Sequence, residues 1–174
     1  MNSNDDLSIL EDPVVVTCGD WKWVTDDRKR SGWQSDLAGS LIRFRLKVRD
    51  IPTLSLTYMT SHATFGNFRV AFQPISNAKT TPVMGCSDVP KFNNQTLLPS
   101  MRLEGKRQQF SLWETFVFSG KLDSNDGAVN QVMKKTVLDK IDESRDIEYI
   151  DMYVFNDNYY GNKKRVKIQT VTSC

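Results

Sequence analysis

The amino-acid sequence predicts an all-β fold, an antiparallel β-sandwich of jelly-roll type with at most one short helix. Three observations carry that prediction. Period-two alternation recurs along the chain, most clearly in LIRFRLKVRDIPTLSLTYMTSHATFGNFRVAF, residues 41–72. Polar turn residues separate the alternating runs at short intervals. β-Branched and aromatic residues are concentrated inside those runs, where a pleated, half-buried surface favours them.

Residues 1–12 read as a polar, frayed lead-in, and 13–174 as a single domain. PVVVTC, residues 13–18, is the first strand. Gly19 and Asp20 turn the chain, and Trp21-Lys22-Trp23 places both indoles on one side if extended. TDDRKRSG, residues 25–32, reads as a loop in which Asp26 and Asp27 offset Arg28, Lys29 and Arg30. Trp33, Asp36, Gly39 and Ser40 lead into the strongest run. There Ile42, Phe44, Leu46 and Val48 share a face expected to be buried. Arg43, Arg45 and Lys47 share the opposite face, expected to be wet and basic.

Asp50, Ile51 and Pro52 interrupt this strand. Leu54, Leu56 and Tyr58 then oppose Ser55, Thr57 and Met59. After a turn ending at Gly66 and Asn67, Phe68, Val70 and Phe72 oppose Arg69 and Ala71. Residues 74–98 read as a long connection with one short strand near Val83, and 101–109 as basic and polar. Phe110, Leu112, Phe116 and Phe118 share one parity, and Glu114 on that face marks a rim or a bulge. Trp113, inside this pattern, reads as structural. LDSNDG, 122–127, is a turn. AVNQVMKKTVLDKI, 128–141, fits a short helix better than two short strands. Ile150, Met152 and Val154 oppose Tyr149, Tyr153 and Phe155. NDNYYGNKK is a turn carrying Tyr159 and Tyr160, and 166–171 closes a domain of about eight strands.

With 174 residues, 39% hydrophobic and 25% charged, the chain can bury a substantial core as a soluble globular domain. A net charge of +2 is too weak to imply a nucleic-acid partner. No apolar run approaches the roughly 20 residues of a membrane helix, so membrane insertion is not expected. The opening lacks a basic region followed by an apolar core, so no signal peptide is expected within this chain. Cys18, Cys86 and Cys174 are widely spaced. One disulfide plus a thiol fits an oxidising compartment; three thiols fit a reducing one. With one histidine, no CxxC and no glycine-rich phosphate loop, no metal or cofactor is expected. Asn94-Gln95-Thr96 matches a glycosylation acceptor.

His62 and Ser61 are adjacent, which points them to opposite faces of an extended segment, so no catalytic residue is expected. The 21 acidic residues cannot be paired from sequence. The candidates for ligand contact are Trp21, Trp23, Trp33, Tyr58, His62, Arg69, Tyr159 and Tyr160. A flat aromatic ring can stack on a sugar, and the same ring can fill a core. Arg43, Arg45, Lys47 and Arg69 form a basic face able to attract an anion. The leading functional expectation is a non-catalytic binding or accessory module with a glycan ligand. A structural domain docking on another protein or adjoining domain is the alternative, and a carboxylate-dependent glycoside hydrolase the third.

One stretch, residues 32–72, carries a resemblance. Gly32-Trp33, Gly39 before an alternating strand, and Tyr58, Ser61 and Gly66 follow a recurrent pattern. That pattern belongs to a Trp-containing β-rich module downstream of SGNH-hydrolase-like catalytic domains in algal, plant-like and protist proteins. Met59 and Phe65 stand at its other apolar positions. Thr60, His62 and Ala63 depart from it, standing where the module has arginine, tyrosine and glutamate. The resemblance implies a β-sandwich accessory module, carbohydrate-associated and in the secretory pathway. It implies no hydrolase activity.

Overall fold

The structure is a computed structural model describing residues 14–47, 53–61, 64–75, 86, 100–103, 111–119, 149–158 and 165–173. Its strands are β1 (Val14–Cys18), β2 (Lys22–Thr25), β3 (Ser31–Ser35), β4 (Leu41–Lys47), β5 (Thr53–Thr60), β6 (Phe68–Ile75), β7 (Ser100–Leu103), β8 (Leu112–Ser119), β9 (Tyr149–Phe155) and β10 (Val166–Ser173). Two antiparallel five-stranded sheets result, A in the order β1-β4-β9-β6-β7 and B in the order β2-β3-β10-β5-β8. From β3 onward the pairing is nested: β3 with β10, β4 with β9, β5 with β8, β6 with β7. Nested pairing alternating between two sheets is the jelly-roll order that the sequence predicts.

The alternation of the sequence becomes the inner faces of this sandwich. From sheet A, Ile42, Phe44, Leu46, Phe68, Val70, Phe72, Ile150, Met152 and Val154 point inward. From sheet B they meet Leu54, Leu56, Tyr58, Val166, Ile168 and Val171. The Tyr58 and Phe68 rings join the layers edge to face, with centroids 5.0 Å apart.

One expectation is corrected here. Arg43 and Arg45 do not lie on a wet face; both are buried, and only Lys47 of the set is exposed. The outer face of sheet A carries its own buried cluster of Leu41, Ala71, Tyr153 and Phe155, with Cys18 packed against it. The cause is register. Arg45 stands opposite Asp151 and Arg43 opposite Tyr153 across the β4–β9 ladder. Arg45 donates Nε to Asp151 Oδ1 at 2.8 Å and Nη2 to Oδ2 at 2.9 Å. Hydrogen bonding to Asp151, against the opposing effect of burial, raises the Arg45 pKa above its ordinary value. Periodicity reports which residues share a face; it is silent on what covers that face.

The structure has ten strands among the described residues, where about eight are expected. Residues 25–32 are the tip and flanks of the β2–β3 hairpin rather than a free loop. Ser100–Leu103 adds an edge strand to sheet A. Of the two readings at Glu114, a rim position or a bulge, the bulge is absent: Glu114 stands opposite Tyr58 in an unbroken ladder. Val48, the strand near Val83, the 128–141 helix, the acceptor at Asn94, the lead-in 1–12 and Cys174 lie outside the described residues.

Of the two cysteine readings the structure takes the disulfide. Cys18 and Cys86 are bonded across 68 residues of sequence, with Cα atoms 5.5 Å apart. The bond closes a long loop onto the end of β1, an edge strand of sheet A. Reduction, or Cys86→Ser, should lower unfolding stability by about 2–4 kcal/mol through restored loop entropy. Urea denaturation with and without reductant reads this directly, and coincident curves would show that the bond contributes nothing.

Candidate functional site

The tryptophans divide. Trp21 is buried in the core, whereas Trp23, two residues on, is 53% exposed on β2 at the edge of sheet B. Trp23 pairs in register with Trp33 on β3. Their rings meet edge to face at 5.7 Å, and Trp33 is half-buried with its inner side against the core. Trp33 therefore props Trp23, leaving an indole partly open to solvent. Gly32 beside it has no room for a side chain: a Cβ there would lie 2.5 Å from the Ile168 carbonyl oxygen. Glycine thus lets β3 close onto β10 at the point that seats Trp33.

Polar groups continue along β3 from this pair. Gln34 Nε2 donates to Asp36 Oδ2 at 3.0 Å, and Arg165 Nε donates to Asp36 Oδ1 at 2.7 Å. The hairpin tip is ordered by Asp26. Its Oδ1 accepts the Arg28 and Arg30 backbone N–H groups at 3.0 and 2.9 Å, and its Oδ2 accepts Arg30 Nε at 2.7 Å. Lys29 supplies the left-handed residue the turn needs, at φ 58°. From the outer face of sheet B, buried Lys167 donates Nζ to the Arg30 carbonyl at 2.7 Å, tying the tip down. Burial lowers the Lys167 pKa, while Asp26, 3.7 Å away, works to raise it. Trp113 lies across the same face with its ring centroid 6.0 Å from Lys167 Nζ, in keeping with a structural role.

The other candidates are placed as follows. Tyr58 is a core residue whose hydroxyl reaches Glu114 Oε2 at 3.4 Å, so its ring has no free face. Arg69, partly exposed, is held by Asp157 at 2.6 Å. His62, Tyr159 and Tyr160 lie outside the described residues. Among the described candidates, only Trp23 and Trp33 are brought together as a solvent-facing aromatic pair.

A polar network that the sequence reading does not single out lies beside this pair. Asp20 Oδ1 accepts Ser35 Oγ at 2.5 Å and Ser40 Oγ at 2.8 Å, and Oδ2 accepts the Asp36 N–H at 2.9 Å. Asn156 Nδ2 donates to Ser35 Oγ, while Asn156 Oδ1 accepts from Asn158 Nδ2 at 2.8 Å. Asn158 in turn donates to the Asn67 carbonyl. Ser35, Ser40, Asn156 and Asn158 are all buried. The only sequence signal was a small polar residue beside each strand end, and key partners lie far apart, Asp20 and Ser35 by 15 residues and Ser35 and Asn156 by 121. Burial opposes the charged form of Asp20. The hydrogen bonds from Ser35, Asp36 and Ser40 outweigh that, holding its carboxyl below its ordinary value of 3.8.

No protein-family model matches this chain, and no curated protein matches it. No helix among the described residues is long and apolar enough to cross a membrane.

The Asp20 network has a pH signature. The folded chain holds this carboxylate deprotonated better than the unfolded chain does. Its contribution is therefore present above pH 3.8 and drains away as pH falls through the lower folded value. Asp20→Asn should cost about 1–2 kcal/mol near neutrality. It should also flatten the acid limb of a stability-versus-pH curve, leaving the part due to Asp26, whose carboxyl is held low by Arg30 against burial. An unchanged acid limb would remove Asp20 from that role.

Proposed function

We propose that this chain is a non-catalytic β-sandwich module that binds a glycan through Trp23. The observation that carries the reading is the exposed Trp23 indole propped by Trp33 on an edge strand. Sugar rings present flat C–H faces, which match such a platform, and their hydroxyls need polar groups nearby to fix orientation. Gln34, next to Trp33 on β3, points to the opposite face and forms a polar cluster with Asp36 and Arg165, so the aromatic platform itself supports the reading. The resemblance over residues 32–72 points the same way. The Cys18–Cys86 disulfide supports an oxidising compartment, in line with the secretory placement that resemblance implies. A glycoside hydrolase draws less support. Among the described residues, Asp26, Asp36, Asp151 and Asp157 each serve an arginine, and Asp20 is engaged by Ser35 and Ser40.

A docking module for another protein is the second reading. It draws on β8, the end strand of sheet B, where Leu112 and Val117 are more than half exposed.

A glycan array probed with wild type, Trp23→Ala and the double variant Leu112→Ser/Val117→Ser separates the two. Wild-type binding should fall roughly tenfold or more in Trp23→Ala, since losing an aromatic anchor costs about 2 kcal/mol. It should survive in the double variant. A folded wild type that binds no glycan, or a Trp23→Ala variant that binds as wild type, would overturn the glycan reading.

A further inference from the structure

We infer that the glycan is acidic: one ring lies on Trp23, its hydroxyls meet the Thr25–Ser31 pair, and a carboxylate or sulfate group farther along reaches Arg28 and Lys29 at the hairpin tip. The inference rests on the glycan reading and names the substrate class of that site. Register supplies the first step. Across the β2–β3 ladder Trp23 stands opposite Trp33, Val24 opposite Gly32, and Thr25 opposite Ser31. Alternation puts Thr25 and Ser31 on the face of the Trp pair, about 7 Å farther toward the tip. From Trp21 through Trp23 to Thr25 this face passes from the buried core into solvent. The Thr25 and Ser31 hydroxyls hydrogen-bond to each other at 2.7 Å. That bond uses one hydroxyl proton, so the pair keeps one O–H donor and spare lone pairs for a ligand. These are polar groups on the aromatic face itself, where a sugar stacked on Trp23 needs them.

Charge names the class of sugar. Residues 22–30 carry four cations, Lys22, Arg28, Lys29 and Arg30, against two carboxylates, Asp26 and Asp27. Asp26 is spent inside the hairpin, on two backbone N–H groups and on Arg30 Nε. Together with Lys167 this pair anchors the tip from the outer face of sheet B, the face opposite Trp23. The exposed charges left at the tip are Asp27, Arg28 and Lys29, one carboxylate against two cations. The turn that carries them is fixed: the Lys29 N–H donates to the Asp26 carbonyl at 2.8 Å. An aromatic platform, a hydroxyl pair and a cationic tip therefore follow one another along a single ribbon. A sugar chain laid along it meets the cations beyond its stacked ring. A uronate or sulfate ester there takes charge-assisted hydrogen bonds from Arg28, whose planar fork matches two such oxygens, whereas a neutral sugar cannot.

An array of neutral, uronate-containing and sulfated oligosaccharides tests this, with methyl-esterified and desulfated forms of the acidic members as uncharged controls. Wild type is compared with Trp23→Ala, Thr25→Val and the double variant Arg28→Gln/Lys29→Asn, each first shown to unfold as cooperatively as wild type. Asparagine at 29 removes the charge and still accepts the left-handed backbone found there. Wild type should bind acidic glycans and lose them on esterification or desulfation; which treatment matters assigns the group as carboxylate or sulfate. The double variant should bind roughly fivefold to tenfold more weakly. Added sodium chloride should weaken wild-type binding and leave that of the double variant nearly unchanged. Thr25→Val, which keeps the β-branched shape without the hydroxyl, should lose roughly threefold to tenfold at unchanged salt dependence. Neutral and acidic glycans bound equally, with both lost in Trp23→Ala, would leave the aromatic platform standing and overturn the acidic class. Acidic glycans bound by the double variant or by Thr25→Val as tightly as by wild type would overturn it too. A folded wild type silent on every glycan removes the glycan reading itself, and this inference with it.

Discussion

The β4–β9 ladder is the constraint around which the sandwich is arranged. Both strands are buried on their two faces. Their inward residues, Ile42, Phe44, Leu46, Ile150, Met152 and Val154, need only apolar neighbours. Their outward residues include ionised groups, and a charge removed from water must be met by an opposite charge and by hydrogen bonds. The register that aligns Arg45 with Asp151 provides both at once. A slip of one residue would put the guanidinium into the apolar core and Ile150 on the polar face, so this pair and the hydrophobic set specify the same register.

The strands around this ladder follow from it. β6 continues sheet A on the far side of β9, and β1 covers the other edge of β4, where the Cys18–Cys86 bond holds its end. Sheet B packs its apolar face on the inner side. At one end of the sandwich the turns after β1, β3, β5 and β9 are cross-linked by the Asp20, Ser35, Ser40, Asn156 and Asn158 side chains and by the Asn67 carbonyl. Five side chains and one carboxylate charge thereby do the work of a small second core, made of hydrogen bonds rather than apolar contact.

This division of labour bears on function. The β2–β3 hairpin is held at its tip by Lys167 and Asp26 and at its base by Asp20 and Asp36. Trp23 and Trp33 sit between the two anchorages, so the exposed ring is held by a rigid frame. A rigid aromatic at a sheet edge loses little conformational freedom when a ligand lies against it, which favours affinity.

The local alternation of side chains determined much of this protein. It specified the all-β class and the inner faces of β4, β5, β6 and β9, because a strand's two-residue period is a property of the backbone alone. It did not determine that Arg43 and Arg45 are buried, since that depends on what the fold lays over them and on Asp151, 106 residues from Arg45. Nor did it separate Trp21 from Trp23. Both share a parity, and only the assembled sheets decide that one meets the core while the other stands at an edge. The Asp20 network was beyond its reach for the same reason: hydrogen bonds between distant turns exist only after the sheets have brought those turns to one end.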